Sequence, residues 1–227
     1  MKLRDRVPRV VVHASICVDG RVAGFEADLE LHYEIASRWG AEVHLTGADT
    51  ILSAPAADDG ETGPADAPVA GPPGDAGILA ITDSRGRVRT WPWLLGSGLW
   101  SRGVALVSQQ TPPEHVNWLH EHGIDVVAAG RGRVDLTGAL VTLADRYGAE
   151  TVLVDSGGRL SGALLARGLV TDISILVHPQ VGGRGHAGPF LALGPGRHPG
   201  WPREVQAAGV ESLGAGVVWL RYTVPGR

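Results

Sequence analysis

Residues 9–18 are a β-branched, apolar run that ends in Asp19-Gly20, and over residues 27–39 the apolar positions Leu29, Leu31, Ile35, Ala36 and Trp39 fall at helical spacing. The first block predicts a mostly buried strand closed by a turn. The second predicts a helix with Asp28 as its N-cap and Gly40 beyond its end. The alternation recurs down the chain. Residues 42–46, 78–82, 105–108 and 125–128 read as strands, and 113–122 and 135–147 as helices, the last with Leu136, Leu140, Leu143 and Ala144 on one side. Strands alternating with helices predict an α/β domain. Two closing strands, 205–213 and 217–224, joined by Gly-Ala-Gly, predict an antiparallel hairpin.

The most informative stretch is TVLVDSGGRLSGALLARGLVTDISILVHP, residues 151–179. It reads as strand, glycine turn, helix and strand. Gly157 and Gly158 carry no Cβ, so the backbone is free to take positive φ and to let a ligand come close. The helix that follows presents unpaired N–H groups and partial positive charge, a setting that suits a pyrophosphate. Alone, such a turn is more often plain turn chemistry, and its spacing matches neither G-x-G-x-x-G nor G-x-x-x-x-G-K-[ST].

Composition narrows the classes. At 227 residues, 44% hydrophobic and 19% charged, the chain is long enough for one α/β domain with a proper core. A net charge of −4 with Lys2 as the one lysine argues against nucleic acid as a partner. No apolar run approaches the roughly 20 residues of a membrane span, and the start lacks a signal-peptide core, so the expected location is the cytoplasm. Cys17 is the single cysteine, which excludes an internal disulfide and a cysteine-rich zinc cluster, and no other metal set is singled out. Residues 53–77, rich in Ala, Pro, Gly and Asp, predict a mobile acidic loop. A second glycine-rich loop, 180–202, is too long for a mere connector.

Three segments in order, SICVDGRVAG, then GADT, then VDSGGRLSGALLARGLVTDISILVHPQVGG, resemble the C-terminal RibD reductase family of riboflavin biosynthesis, related in fold to dihydrofolate reductase. The resemblance covers nearly the whole chain. It implies one domain over 1–227, three-layered, with a central mixed, mostly parallel sheet and the antiparallel hairpin at the C-terminus. It also implies an NADPH-dependent oxidoreductase, cytoplasmic and homodimeric, whose small-molecule substrate is a ribosylaminopyrimidine 5′-phosphate that becomes its ribitylamino form.

Carried onto this chain, the resemblance gives Ser156, Gly157, Gly158, Arg159 and Leu160 to the cofactor pyrophosphate, with Gly47 and Thr50 as further contacts. Asp19 becomes the catalytic and substrate-binding aspartate, holding or helping to protonate the opened ribosyl imine. His13, Cys17, Gly182 and Gly183 line the substrate. Hydride transfer needs no protein nucleophile, and spacing singles out no Ser-His-Asp set.

The chain departs from the family's K/N-x-A-x-S-L-D-G pattern. His13 stands for lysine or asparagine, and a lone strand histidine is more often a satisfied core residue. Cys17 stands for serine or threonine. The D-x-P-x-L-T-x-R segment is replaced by the 53–77 insertion, leaving Arg85, Arg87, Arg89, Arg184 and Arg197 as candidates for a substrate phosphate. The alternatives are a reductase diverged toward another heterocyclic or carbonyl substrate, and a nucleotide-binding module without activity.

Overall fold

The β-branched run after Pro8 forms the first strand and the helical-period block after Asp28 the first helix, as their patterns require. The computed structural model describes residues 6–53, 77–182, 188–194 and 201–226. Among these the order is β1 (Arg9–Cys17), α1 (Leu29–Ser37), β2 (Val43–Gly47), α2 (Ala48–Ser53), β3 (Gly77–Thr82), α3 (Trp91–Gly96), β4 (Trp100–Val107), α4 (Pro113–Glu121), β5 (Asp125–Ala128), α5 (Leu136–Tyr147), β6 (Thr151–Asp155), α6 (Gly158–Ala166), β7 (Asp172–His178), β8 (Gln206–Ser212) and β9 (Val218–Thr223). The chain divides into two compact units, residues 1–8 with 40–152, and residues 9–39 with 153–227.

In the first unit, strands β2, β3, β4 and β5 lie side by side and all run parallel. Their apolar side chains Leu79, Ile81, Ala105 and Val107 pack with Trp91 of α3 and Leu119 of α4. Helix α3 was not expected. Its six residues, WPWLLG, are too few and too aromatic to show a helical period, yet Pro92 in its first turn fits a helix start. Strand β4 begins at Trp100, five positions ahead of the predicted start. Gly103 must be glycine there, since a Cβ would lie 2.8 Å from the Trp91 ring. Of the predicted 53–77 loop, residues 54–76 lie outside the described residues.

In the second unit the strand order is β6-β1-β7-β9-β8. β1 and β7 pair in parallel from Val11↔Asp172 to Cys17↔His178, whereas β9 runs antiparallel to both β7 and β8. The predicted hairpin forms, and Gly214, Ala215 and Gly216 of its turn all take positive φ. The architecture is mixed α/β, mostly parallel, with the antiparallel hairpin at the C-terminus. α1 presents Ile35 to Leu176, Val217 and Trp219, and burying each such large side chain contributes about 1.5–3 kcal/mol. Arg9 forks onto Asp172 at 2.8 and 2.9 Å and lies over the Trp39 ring. Burial works to raise the Asp172 pKa, but the hydrogen bonds from Arg9 and Thr171 outweigh it and hold the carboxyl below its ordinary value. Among the described residues no helix is long and apolar enough to cross a membrane.

Candidate active site

Side chains alternate along a strand, so His13, Ser15 and Cys17 share one face of β1. Parallel register places Ser174, Leu176 and His178 of β7 on that face beside them, and α1 lies over it. The polar series continues to Asp19 in the turn. This turn is closed by Gly20 N–H to Cys17 O and Cys17 N–H to Arg21 O, with Gly20 at φ 80°.

At the mouth of the strand, the Asp19 carboxylate accepts from the Cys17 thiol, from Gly182 N–H at 3.1 Å and from Arg21 Nε at 3.0 Å. The Cys17 hydrogen bond is the largest cause that holds its pKa below the ordinary value, with Gly182 and Arg21 adding to it against a smaller effect of burial. Asp19 is therefore ionised at neutral pH. It suits holding a cation or a hydroxyl, not giving a proton. Gly182 sits close against both, since a Cβ there would lie 3.0 Å from Cys17 Sγ and 3.3 Å from Asp19 Oδ1, a tight fit that would press on the two side chains. The thiol thus fills the hydrogen-bonding place expected of a hydroxyl. The structure brings Cys17, Asp19 and Gly182 together, whereas Gly183 lies outside the described residues.

His13 is fully enclosed. Its Nδ1 meets Ser174 Oγ at 2.9 Å and its Nε2 meets the carbonyl of His32 at 3.1 Å. Ser174 Oγ already accepts from Trp219 and Trp39, so its own hydrogen points to Nδ1 and the imidazole is the neutral Nε2–H form. This corrects the expected substrate contact: His13 is a satisfied core residue.

Next to it stands a series that spacing did not single out. His32 Nδ1 lies 2.9 Å from Ser15 Oγ and its Nε2 lies 3.3 Å from Asp155 Oδ2. His32 is buried and packs against the His13 ring, with Tyr33 edge-on. Burial first, and the Asp155 charge second, push the Tyr33 hydroxyl above its ordinary value. His178 is kept below its own by burial and by His32, against Asp28, and is neutral. The signal available in the sequence was the polar residue at every second position of an otherwise apolar run.

The segment expected to meet a cofactor starts where β6 ends. Ser156 is buried, Arg159 exposed and Leu160 half-buried. No side chain caps α6, whose N-cap Gly157 has φ −59° and ψ 164°. Neither Gly157 nor Gly158 takes the positive φ that the pair allows. Gly158 answers to close approach instead, but of the chain itself: a Cβ would fall 2.1 Å from Pro189 O, and at Gly162, one turn on, 2.2 Å from Ala192 O. Ala192 N–H donates to Gly158 O at 2.9 Å, and Pro189 bridges to Arg21 beside Asp19. Residues 189–192 thus form a strap seated on the small face of α6.

Gly47 and Thr50 belong to the first unit, Gly47 buried at the end of β2 and Thr50 half-buried in α2. There too Arg87 pairs with Asp49 and Arg89 lies over the Trp118 ring, while Arg85 is exposed. Arg184 and Arg197 lie outside the described residues.

A family model described as the RibD C-terminal domain matches residues 8–219. The chain is 31% identical over 186 residues to the 2,5-diamino-6-ribosylamino-4(3H)-pyrimidinone 5′-phosphate reductase of Methanothermobacter thermautotrophicus, covering 78% of this chain and 81% of that one. The riboflavin biosynthesis reductase of Saccharomyces cerevisiae shares its fold at a TM-score of 0.68 and 16% identity, over 97% of this chain and 91% of that one. The RibD of Acinetobacter baumannii superposes at 0.66 and 18% identity over 97% of this chain, which spans 58% of that protein's length.

Proposed function

Because this chain belongs to the RibD C-terminal domain family, we propose that it is an NADPH-dependent reductase that converts a ribosylaminopyrimidine 5′-phosphate to its ribitylamino form. The observation that carries the reading is the Asp19 carboxylate, held ionised by Cys17, Gly182 and Arg21 at the mouth of β1. Opening the ribosyl ring of such a substrate develops positive charge at the carbon that bears the amine. A fixed anion stabilises that charge without reorganising, the arrangement that lowers barriers most effectively.

The residues present fit a dinucleotide cofactor. The start of α6 has no side-chain cap, and its N–H groups and partial positive charge suit a pyrophosphate. Ser156, Gly157, Gly158, Arg159 and Leu160 are the proposed contacts, with Gly47 and Thr50 as further candidates. Reduced nicotinamide, when bound, supplies the hydride. The chain's part is to orient substrate and cofactor, to exclude water and to hold charge.

NADPH in preference to NADH, a homodimer and a cytoplasmic location are proposed on the family resemblance. The thiol of Cys17 serves Asp19 as a hydroxyl would, so it gives no support to a diverged substrate.

The test is to titrate the purified protein with NADPH and NADH, then add the ribosylaminopyrimidine phosphate and follow reduced-nicotinamide absorbance. Tight NADPH binding followed by oxidation, with product that has gained two hydrogens, is the expected outcome. Binding without oxidation would move the search to another acceptor. No binding at all would leave a shared fold alone.

A further inference from the structure

The proposed reaction needs a proton that Asp19 is not built to give. Hydride adds to the carbon that bears the amine, the bond from that carbon to the ring oxygen breaks, and the ring oxygen takes up one proton. Asp19 is held as the carboxylate, so the donor lies elsewhere. We propose that Ser15 and His32 are the proton-delivery path of this reductase, with Asp155 as the anchor that orients His32; the inference rests on the reading of function above.

The hydrogen bonds fix the direction of this path. A carboxylate only accepts, so the Nε2 of His32 carries a hydrogen toward Asp155. In the neutral imidazole, Nδ1 then accepts the hydroxyl hydrogen of Ser15. In the imidazolium, Nδ1–H donates to Ser15 Oγ instead, and the hydroxyl hydrogen turns away from His32. Ser15 gives that hydrogen to the ring oxygen, His32 gives its Nδ1 proton to Ser15, and the imidazole is left neutral. Water returns the proton through Ser15 once product leaves.

The surroundings favour His32 as the carrier. Asp155, whose side chain is 38% exposed, supplies the opposing charge at Nε2. From β1, His13 faces it as a neutral imidazole with both nitrogens engaged. From β7, His178 faces it, neutral through burial, with Asp28 nearby. On its own helix Tyr33 stands edge-on with a raised hydroxyl pKa. His32 acts through Ser15, which makes it a positioning residue and Ser15 the delivery end.

The test compares wild type, His32→Gln, Ser15→Ala and the double variant on the ribosylaminopyrimidine phosphate with NADPH. Glutamine can still meet both neighbours but cannot carry a proton. His32→Gln should lower kcat about 100-fold, in the range that general acid–base groups contribute, with both KM values little changed. The pH profile of kcat should also differ from that of wild type. Ser15→Ala should lose a similar factor, and the double variant no more than either single one, because both act in one path. A folded His32→Gln within roughly threefold of wild-type kcat, with the wild-type pH profile, overturns the path, as do single losses that multiply in the double variant. If His32→Gln does not fold, Ser15→Ala decides through its kcat and pH profile. A wild type without turnover removes the functional reading and this path with it, whereas an active wild type with an indifferent His32→Gln removes the path alone.

Discussion

Helices α5 and α6 begin in opposite ways. α5 starts on Asp135, whose carboxylate accepts the N–H of Thr137, and α1 repeats the device with Asp28 and Leu31. α6 starts on Gly157 and has no side-chain cap. A helix start that brings its own carboxylate has answered both its unpaired N–H groups and its partial positive charge. One that lacks it keeps its partial positive charge without a carboxylate of its own, the setting in which an anion is bound. The contrast sets α1 and α5, whose starts are answered by their own carboxylates, apart from α6, the start proposed to hold the cofactor; α3 and α4 also lack a side-chain cap but place proline in the first turn.

The largest expected effect sharpens this division by leaving α6 alone. Asp19→Asn removes the fixed anion at the mouth of β1 and should lower kcat by about 100-fold or more, with NADPH affinity unchanged in a direct titration. Equal losses in both would place Asp19 in cofactor binding.

Next come the glycines of α6. Gly158→Val forces the strap at Pro189 and Ala192 away from the helix start, so NADPH affinity should fall together with thermal stability. Gly162→Ala strikes the same strap one turn further on, at Ala192 O. It should cost about 1–3 kcal/mol of stability with the smaller loss of affinity, read by melting curves and titration on one preparation.

Asp135→Ala should cost about 1 kcal/mol with no change in NADPH affinity, since that carboxylate serves α5 itself. The smallest effect lies at acid pH. Asp172 has a depressed pKa in the folded protein, so its contribution is present above the unfolded value near about 4 and is lost as pH falls through the folded one. Asp172→Asn should narrow the gap between melting temperatures at neutral and acid pH.

Much of the fold was legible because period and caps agreed. Asp28 caps as the sequence suggests, Asp135 opens the predicted helix as its cap, and β5 and the hairpin stand where their patterns put them. α3 was hidden because six residues with two tryptophans and a proline show no period. In the site, the nearness of Cys17 to Asp19 follows from strand alternation, while Gly182 reaches them through a loop. Ser15, His32 and Asp155 come from β1, α1 and β6, and no spacing rule joins three such segments. Gly158 was legible as a glycine that matters but not for what it meets: the structure puts a strap of the chain on its Cβ side.

The most direct measurement is an NADPH titration of Gly157→Asp beside wild type. The backbone at Gly157 is one that any residue adopts, so the new carboxylate should cap α6 as Asp135 caps α5 and add a few tenths of a kcal/mol to stability. It should also repel the pyrophosphate. A protein as stable as wild type or more so, with NADPH binding lost, is the predicted result. A stable Gly157→Asp that binds NADPH as wild type does would contradict the assignment of the α6 start to the cofactor.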